Sequence, residues 1–378
     1  MSIFFYEDFY TFLVDKKMDQ RFQNFTSAVM LAVSNTPCRG AESMEASNCL
    51  DEGQALPLKM IAIVSILFAG ILGVGFPLIG NKRKFLAIDS DIFLIFKSFA
   101  AGVILATGFV HMLPDGEQAL MDPCLPKFPW SNFPFSGFIA MMASLVTLLA
   151  DYLGTLFYTE KHKKEQKMKR AVDSGNDRPV AADDDMIIVT VRPTDEDPNS
   201  VPVLEQNPGD HACHSSHIRN VVVSQIMEFG IVSHSVIIGL SLGLSHSPCT
   251  IRPLIAALSF HQFFEGFALG GCISQAQLSN LATSLMATFF SVTTPIGIGL
   301  GIVLSSFYNA DSPRSLIVEG IFDCISAGIL IYMALVDLIA TDFLSRNMSS
   351  NSSASLKLFS FIALFLGAGS MSLLALWA

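Results

Sequence analysis

Charged residues are scarce in this sequence. Asp, Glu, Lys and Arg make up 15% of its 378 residues, 51% are hydrophobic, and the mean hydropathy is +0.50. A soluble domain carries roughly 25% charged residues, and the apolar runs here are too long to be its core elements. The composition therefore excludes a water-soluble globular protein and indicates an all-α integral membrane protein.

Several motifs are also missing. The formal charge of −10 lies mostly in loops, and no basic stripe is present, so no nucleic-acid partner is expected. The seven cysteines include no CxxC pair. Cys272 and Cys324 fall in apolar runs and are expected to be small core residues.

The amino end lacks the features of a standard signal peptide. Glu7 and Asp8 stand where a signal peptide carries positive charge. Residues 1–57 are predicted to be an extracytosolic segment, because the basic loops and the number of spans described below place the amino end outside the cytosol. Whether this segment is a signal sequence, a re-entrant stretch or an atypical amino end stays open. Cys38 and Cys49 could form a disulfide if this segment is extracellular.

Eight apolar runs are each long enough to cross a bilayer as a helix, which needs about 20 mostly apolar residues. They are residues 58–79, 92–113, 134–158, 220–244, 252–273, 280–305, 317–340 and 357–377. Their spacing predicts an eight-transmembrane-helix bundle with three spans in residues 58–158 and five in residues 220–378, joined by a long loop at 159–219.

Small residues recur at helix-packing spacing in two of these runs. Gly239 and Gly243 are four residues apart, as are Gly266 and Gly270, so neighbouring helix backbones can approach closely there. Pro295, which lacks a backbone N–H, is expected to break or bend the sixth run.

Basic residues predict the orientation of the bundle, because loops rich in Lys and Arg stay in the cytosol. The first loop holds Lys82, Arg83 and Lys84, and the long loop opens with KHKKEQKMKR, so both are expected in the cytosol. The second loop, 114–133, is acidic and is expected outside. Eight spans then place both termini outside the cytosol.

The long loop at 159–219 has no apolar period. Acidic residues and prolines follow its basic opening, a composition typical of a disordered, solvated linker. The loop ends in HACHSSH, which is typical of a labile metal-binding element, or else is a chance cluster in a disordered segment. The candidate ligands in this tract are His211, Cys213, His214 and His217.

Two neighbouring apolar runs carry ionisable residues. An ionisable group in hydrocarbon costs about 2.5–3.5 kcal/mol, so it usually faces an interior path or site. On a helix His261 and Glu265 share one face, and His234 can face them from the neighbouring helix. Two imidazoles and a carboxylate in a dry place predict a site for a divalent transition metal. The alternative is that these histidines only donate hydrogen bonds between helices.

Further polar groups lie near the ends of two other runs. His111 and Asp115 are four residues apart at the outer end of the second run, and they predict a metal entrance. The seventh run carries acids near both of its ends, at Glu319, Asp323, Asp337 and Asp342. These acids indicate an entrance cluster and an exit cluster, or only helix capping and interfacial solvation.

The two central runs carry a family resemblance. HSVIIGLSLG (234–243) and HQFFEGFALGGCI (261–273) resemble the fourth and fifth helices of the ZIP family of divalent-metal transporters, the Zrt- and Irt-like proteins. FAAGVILATGFVHMLPD (99–115) and TTPIGIGLG (293–301) match as well. The resemblance covers about 57–378 apart from the middle of the long loop, and it is closest to the plant zinc- and iron-regulated branch.

This resemblance implies a transporter that moves zinc or iron into the cytosol, with Zn²⁺ or Fe²⁺ as the transported substrate and no prosthetic cofactor. The family's principal metal site falls on His234, His261 and Glu265. Ser235 and Gln262 stand beside them, where some members supply ligands to a second metal. The resemblance also implies a helical bundle, often dimeric, that works by alternating access. The expected location is the plasma membrane, with an internal membrane as the alternative.

Two positions depart from the family pattern. Ile238 stands one helical turn after His234, where binuclear relatives carry a bridging carboxylate, so a full second metal site is not expected. Gln118 stands where this branch often carries the Glu of D-x-x-E, and Glu117 lies one residue early. A shift of one residue turns a side chain by about 100° on a helix, so the outer selectivity region is expected to differ.

Two other functions fit part of the pattern. An intramembrane hydrolase could hold a catalytic zinc at the same residues. It would also need a general base near the zinc-bound water, which is the role of the glutamate in an HExxH motif. The sequence contains no HExxH, and Glu228 is the only nearby spare acid. A metal-sensing receptor is compatible with the long loop. Transport explains the intramembrane residues best, so no enzymatic activity is expected.

Overall fold

The computed structural model describes residues 52–80, 90–174, 208–276, 278–305, 312–344 and 353–376. At residue 52, at residues 161–174 other than Lys164, and at residues 208–218 it describes the backbone only. The expectations for the amino-terminal segment, including Cys38 and Cys49, concern residues that lie outside these ranges.

The described chain is helical throughout its membrane-crossing part. Its helices are α1 (Glu52–Gly80), α2 (Asp91–Ala106), α3 (Leu113–Leu120), α4 (Lys127–Trp130), α5 (Phe135–Ser174), α6 (Pro208–Leu244), α7 (Pro248–Gln275), α8 (Asn280–Leu304), α9 (Pro313–Tyr332), α10 (Thr341–Leu344) and α11 (Ala354–Leu374). A π-helical segment, Thr107–Met112, joins α2 to α3, and a second, Met333–Ala340, joins α9 to α10.

Each predicted span coincides with one of these helices, and seven helices in the described residues are long and apolar enough to cross a membrane. The predicted span at 252–273 also forms a helix, α7, but this helix is not among the seven. It has 28 residues, and polar residues such as His261, Gln262 and Glu265 interrupt its apolar sequence. The predicted all-α membrane fold is confirmed.

Serine residues define where several helices begin. The side chains of Ser90, Ser279, Ser312 and Ser353 each accept a hydrogen bond from a backbone N–H in the first turn of α2, α8, α9 and α11, respectively. A serine cap satisfies one of the N–H groups that have no partner inside the helix. Pro313 follows its cap in the first turn of α9, where a backbone N–H has no partner inside the helix, so its absence does not remove a helical hydrogen bond.

The helices form two groups. In the first bundle, α1 packs along α7, and α8 packs against α6 and α1. In the second bundle, α2 packs against α11, and α9 packs against α5 and α3. The two bundles meet where α6 and α7 contact α9, α5 and α2.

Close glycine contacts hold the first bundle together. A Cβ added to Gly239 would lie 2.7 Å from the Thr294 carbonyl oxygen of α8, and one added to Gly243 would lie 2.7 Å from the Gly301 Cα. One added to Gly270 would lie 2.6 Å from the Val74 carbonyl oxygen of α1. The predicted role of these glycines in helix packing is confirmed.

The helices differ from the sequence prediction in two places. Helix α8 continues through Pro295, so the proline does not break the helix as one of the two sequence predictions for it required. Helix α5 extends to Ser174, beyond the predicted end of its span at 158. The residues of this extension are mostly Lys, Glu, Gln, Met and Arg, which have high helix propensity. Residues 175–207 of the predicted loop lie outside the described ranges.

Candidate metal site

Three histidines from three helical segments lie together inside the membrane-crossing part of the fold. His111 belongs to the first π-helical segment, His234 to α6 and His261 to α7. The ring centroids of each pair are 5.9 Å apart, so the imidazoles form a nearly equilateral triangle. All three are buried, with 1–4% of their surface exposed. The second bundle supplies His111, and the first supplies the other two.

The π-helical segment places His111 in this triangle. Single-turn π-bulges inside α-helices occur frequently at functional sites, because the extra residue reorients the side chains that follow it. His111 Nδ1 lies 3.4 Å from Asp115 Oδ2 one turn later, which agrees with the predicted pairing of these residues. His111 was predicted at an entrance, and the structure brings it directly against the other histidines.

The remaining predicted ligands lie on the same two helices of the first bundle. Glu265 follows His261 by one turn of α7 and is completely buried. Ser235 and Gln262 are also buried. The Gln262 Oε1 atom accepts a hydrogen bond of 3.3 Å from the Thr294 hydroxyl of α8, so its amide contacts the inside of the first bundle.

Several polar atoms of this site have no hydrogen-bond partner among the described residues. Both carboxylate oxygens of Glu265, both ring nitrogens of His234, His111 Nε2 and His261 Nδ1 are buried without a hydrogen bond. Leaving a buried polar group unpaired costs about 1–3 kcal/mol, and such groups are rare in native proteins. This concentration of unpaired atoms makes the position a candidate site for a ligand.

The chemistry of these side chains suits zinc or ferrous iron, which accept imidazole nitrogen and carboxylate oxygen. Within the described residues, no three His, Cys, Asp or Glu side chains are close enough to hold an ion as they stand. A metal ion shared by these rings would bring them closer together than they are in this conformation. A site that closes around its ion and opens again is suited to transient binding.

A cavity of about 270 Å³ leads from one end of the bundle to two of these histidines. Its wall includes His111, Asp115, Gln118, Asp122, His234, Ile237, Ile238, Ser241, Glu319 and Asp323. Asp115 is half exposed at its rim, with 48% of the side chain accessible. We call this the outer end, because the orientation predicted from basic residues places it outside the cytosol. Ile238 lines the cavity with an apolar side chain.

The opposite half of the interface is filled by apolar side chains. Ile104, Met227, Ile231, Phe267 and Leu330 belong to one buried cluster with at most 1% of their surface exposed. They come from α2, α6, α7 and α9. Along these helices they lie on the cytosolic side of the level of the three histidines. In this conformation the cavity therefore reaches the site from the outer end, and packed side chains separate it from the other end.

Two ion pairs lie in the cytosolic half. Lys97 Nζ is 2.9 Å from Asp342 Oδ1, and Arg219 Nη2 is 2.9 Å from Asp337 Oδ1. The second pair joins α6 of the first bundle to the second π-helical segment of the second bundle. Asp337 and Asp342, considered in the sequence as an exit cluster, are therefore salt-bridge partners in this conformation.

The structure adds Asp323 to the site. Asp323 Oδ1 lies 3.9 Å from His234 Nδ1, and the aspartate is buried in the cavity wall. Its spacing of four from Glu319 signalled an outer acidic face, but the sequence alone did not connect it to His234. The tract with His211, Cys213, His214 and His217 lies in the first turns of α6, where only the backbone is described.

Comparisons with known proteins agree with this arrangement. The family model of ZIP zinc transporters matches residues 56–375. Zinc transporter 7 of Oryza sativa subsp. japonica is 55% identical, over 88% of this chain and 92% of its own length. Two proteins of Arabidopsis thaliana are similar: chloroplastic Fe(2+) transport protein 3, 48% identical over 93% of this chain and 92% of its own, and Fe(2+) transport protein 1, 42% identical over 94% and 95%. The chain therefore belongs to the ZIP family of zinc transporters.

Proposed function

We propose that this multi-pass membrane protein carries zinc or ferrous iron into the cytosol through His234, His261 and Glu265. The observation that carries the proposal is the triangle of buried imidazoles next to a fully buried carboxylate, all with unpaired polar atoms. The names of the relatives, zinc transporters and Fe(2+) transport proteins, support the same two ions. The plasma membrane is the proposed location.

The proposed path begins in the outer cavity. Asp115, Asp122 and Glu319 line it, and their negative charges attract divalent cations from the outside. The ion next meets His111 and His234 at the end of the cavity. It then reaches His261 and Glu265, which lie deeper and do not line the cavity. Mixed imidazole and carboxylate ligands bind these ions without the near-permanent grip of four thiolates.

Release to the cytosol requires a movement of one bundle against the other. The site lies at the interface between the bundles, and the apolar cluster on its cytosolic side blocks the exit in this conformation. Separation of α6 and α7 from α9 on that side would open the exit. Because imidazole must be neutral to bind a metal, uptake should weaken as the pH falls and protons compete.

The test is radiolabelled zinc uptake at limiting metal, in cells that lack their own zinc importers. The variants are His261→Ala and Glu265→Gln, each corrected for the amount of protein at the surface. Uptake should fall on the order of 100-fold, because changes even outside the first layer of ligands cost roughly 10–100-fold in metal affinity. Glu117→Gln removes an exposed carboxylate outside the cavity wall and should transport like wild type.

Full uptake by both site variants would overturn the proposed path. Competition with unlabelled iron, manganese and cadmium in the wild type would rank the substrates. If well-expressed wild-type protein in the plasma membrane transports none of these metals, the import function itself is wrong for this chain.

A further inference from the structure

Asp323 occupies an unusual position for a carboxylate. It lies on α9 of the second bundle, at 7% exposure, and its side chain faces the outer cavity. Burying an isolated carboxylate is unfavourable unless a cation or hydrogen-bond donors compensate for the lost water. No lysine or arginine in the described ranges forms an ion pair with it, and its side chain lies 3.9 Å from the His234 ring, measured from Oδ1 to Nδ1.

The contact between Asp323 and His234 crosses the interface between the bundles. His234 belongs to α6 of the first bundle, whereas Asp323 and His111 both belong to the second. The His111 and His234 ring centroids are 5.9 Å apart, and all three residues line the end of the same cavity. His111 Nε2 and both ring nitrogens of His234 are buried there without hydrogen-bond partners in the described part of the chain.

We propose that Asp323, with His111 and His234, forms a receiving position where a divalent metal ion from the cavity binds before it reaches His261 and Glu265. Two imidazoles and one carboxylate are a ligand set that suits Zn²⁺ or Fe²⁺. In this conformation the three side chains of the described fold are too far apart to share an ion, so binding at this position requires them to move closer together. His234 belongs to this position and to the deeper site, so the ion can pass between them without losing every protein ligand. This inference rests on the proposed transport function.

The arrangement gives Asp323 a role that Asp115 and Glu319 do not share. Asp115 is half exposed, and Glu319 is less buried than Asp323 and lies one turn closer to the outer end of α9. Water reaches both positions, so their charges attract cations into the cavity but are screened more than a buried charge is. Asp323 is buried in the cavity wall next to His234, and a carboxylate there binds an ion directly instead of only raising its local concentration.

The experiment compares Asp323→Asn, Asp323→Glu and Glu319→Gln in the zinc uptake assay, with wild type and Glu265→Gln measured in parallel. Asp323→Asn keeps the shape but loses the charge, and it should raise the KM for zinc by about tenfold or more. Asp323→Glu restores a carboxylate and should recover most of the affinity. Glu319→Gln removes the same charge one turn away on the same helix and should change KM less than about threefold, as expected for a screened charge.

Zinc binding to the purified proteins, measured by calorimetry in detergent, separates a metal ligand from a packing residue. Asp323→Asn should bind zinc about tenfold more weakly or worse, at an unfolding temperature close to that of the wild type. If Asp323→Asn is unstable, the Asp323→Glu variant decides: a packing residue would not tolerate the longer side chain, whereas a ligand position retains zinc affinity.

The outcomes distinguish this inference from the proposed function. Wild-type transport that is lost in Glu265→Gln but keeps its KM in Asp323→Asn would overturn the receiving position alone. Equal effects of Asp323→Asn and Glu319→Gln would also overturn it, since both would then act only through the charge of the cavity. Absence of transport by the wild type would instead refute the proposed function.

Discussion

The candidate metal site and the Lys97–Asp342 pair bond their buried polar groups in opposite ways. In the outer half, His234 and Glu265 are buried without hydrogen-bond partners in the described residues. In the cytosolic half, Lys97 is equally buried but is paired with Asp342 at 2.9 Å. Both arrangements place polar groups in an apolar environment, but only the second compensates for the lost water internally.

This difference is what we expect if the candidate metal site binds an ion and the ion pair does not. Unpaired imidazoles and carboxylates beside a cavity leave coordination capacity for an incoming ion. Paired charges beside an apolar cluster stabilise a closed interface instead. In a transporter that alternates between two states the closed side has to open in turn, so the Arg219–Asp337 pair, which joins the two bundles, should separate when the cytosolic exit opens.

Removing one member of the buried cytosolic pair should have the largest effect on stability. In Lys97→Met the Asp342 charge, at 15% side-chain exposure, loses its nearest cation. Breaking a buried pair in this way costs about 3–5 kcal/mol. We therefore expect Lys97→Met to unfold at a clearly lower temperature than wild type in a thermal melt of the purified protein in detergent.

Lys127→Met provides the matched control, because this lysine is exposed on α4. It should melt like wild type. The double variant Lys97→Met with Asp342→Leu removes both charges and should recover much of the lost stability. Equal melting temperatures for the two lysine variants would show that the cytosolic half does not depend on this pair.

The outer half is not loosely packed, and a glycine pair makes this testable. Gly243→Ala would place its Cβ 2.7 Å from the Gly301 Cα, and this contacted atom belongs to the backbone of α8. Overpacking of this kind costs about 1–3 kcal/mol. The same thermal melt should therefore show destabilisation, smaller than that of Lys97→Met.

Gly299→Ala is the appropriate comparison for this variant. Gly299 lies on the facing helix α8, and nothing lies within 4 Å of its added Cβ. Alanine has the higher helix propensity, by about 1 kcal/mol, so this variant should be neutral or slightly more stable. If Gly299→Ala and Gly243→Ala lose the same stability, the close approach of α6 and α8 is not what Gly243 provides.

The sequence predicted most of the fold because long apolar runs leave few alternatives. Each predicted span coincides with a helix, and His261 and Glu265 share one face of α7 as their spacing required. The position of His111 could not be derived, because the π-helical turn at Thr107–Met112 reorients it. The pairing of Asp337 with Arg219 depends on contacts between distant helices, for which spacing within one run gives no information.

The smallest expected effect concerns the rim of the outer cavity. Gln118 is exposed and lines the cavity. Gln118→Glu adds one negative charge near the path of the ion. An interaction between solvated unit charges is worth about 1 kcal/mol at 4 Å, and a divalent ion doubles it, but the rim lies farther from the bound ion. We therefore expect the KM for zinc uptake to fall by at most roughly fivefold.

Salt identifies the origin of that change. A screened surface charge loses its influence as ionic strength rises, because the Debye length shortens to about 8 Å at 0.15 M. The gain of Gln118→Glu should therefore shrink between low and physiological salt. Asn132→Asp adds the same charge to an exposed residue of the same end, outside the cavity wall, and should leave KM unchanged. If the decrease in KM of Gln118→Glu did not depend on salt, the introduced carboxylate would be acting as a direct ligand of the ion. The proposed difference between a solvated rim and a buried receiving position would then be wrong.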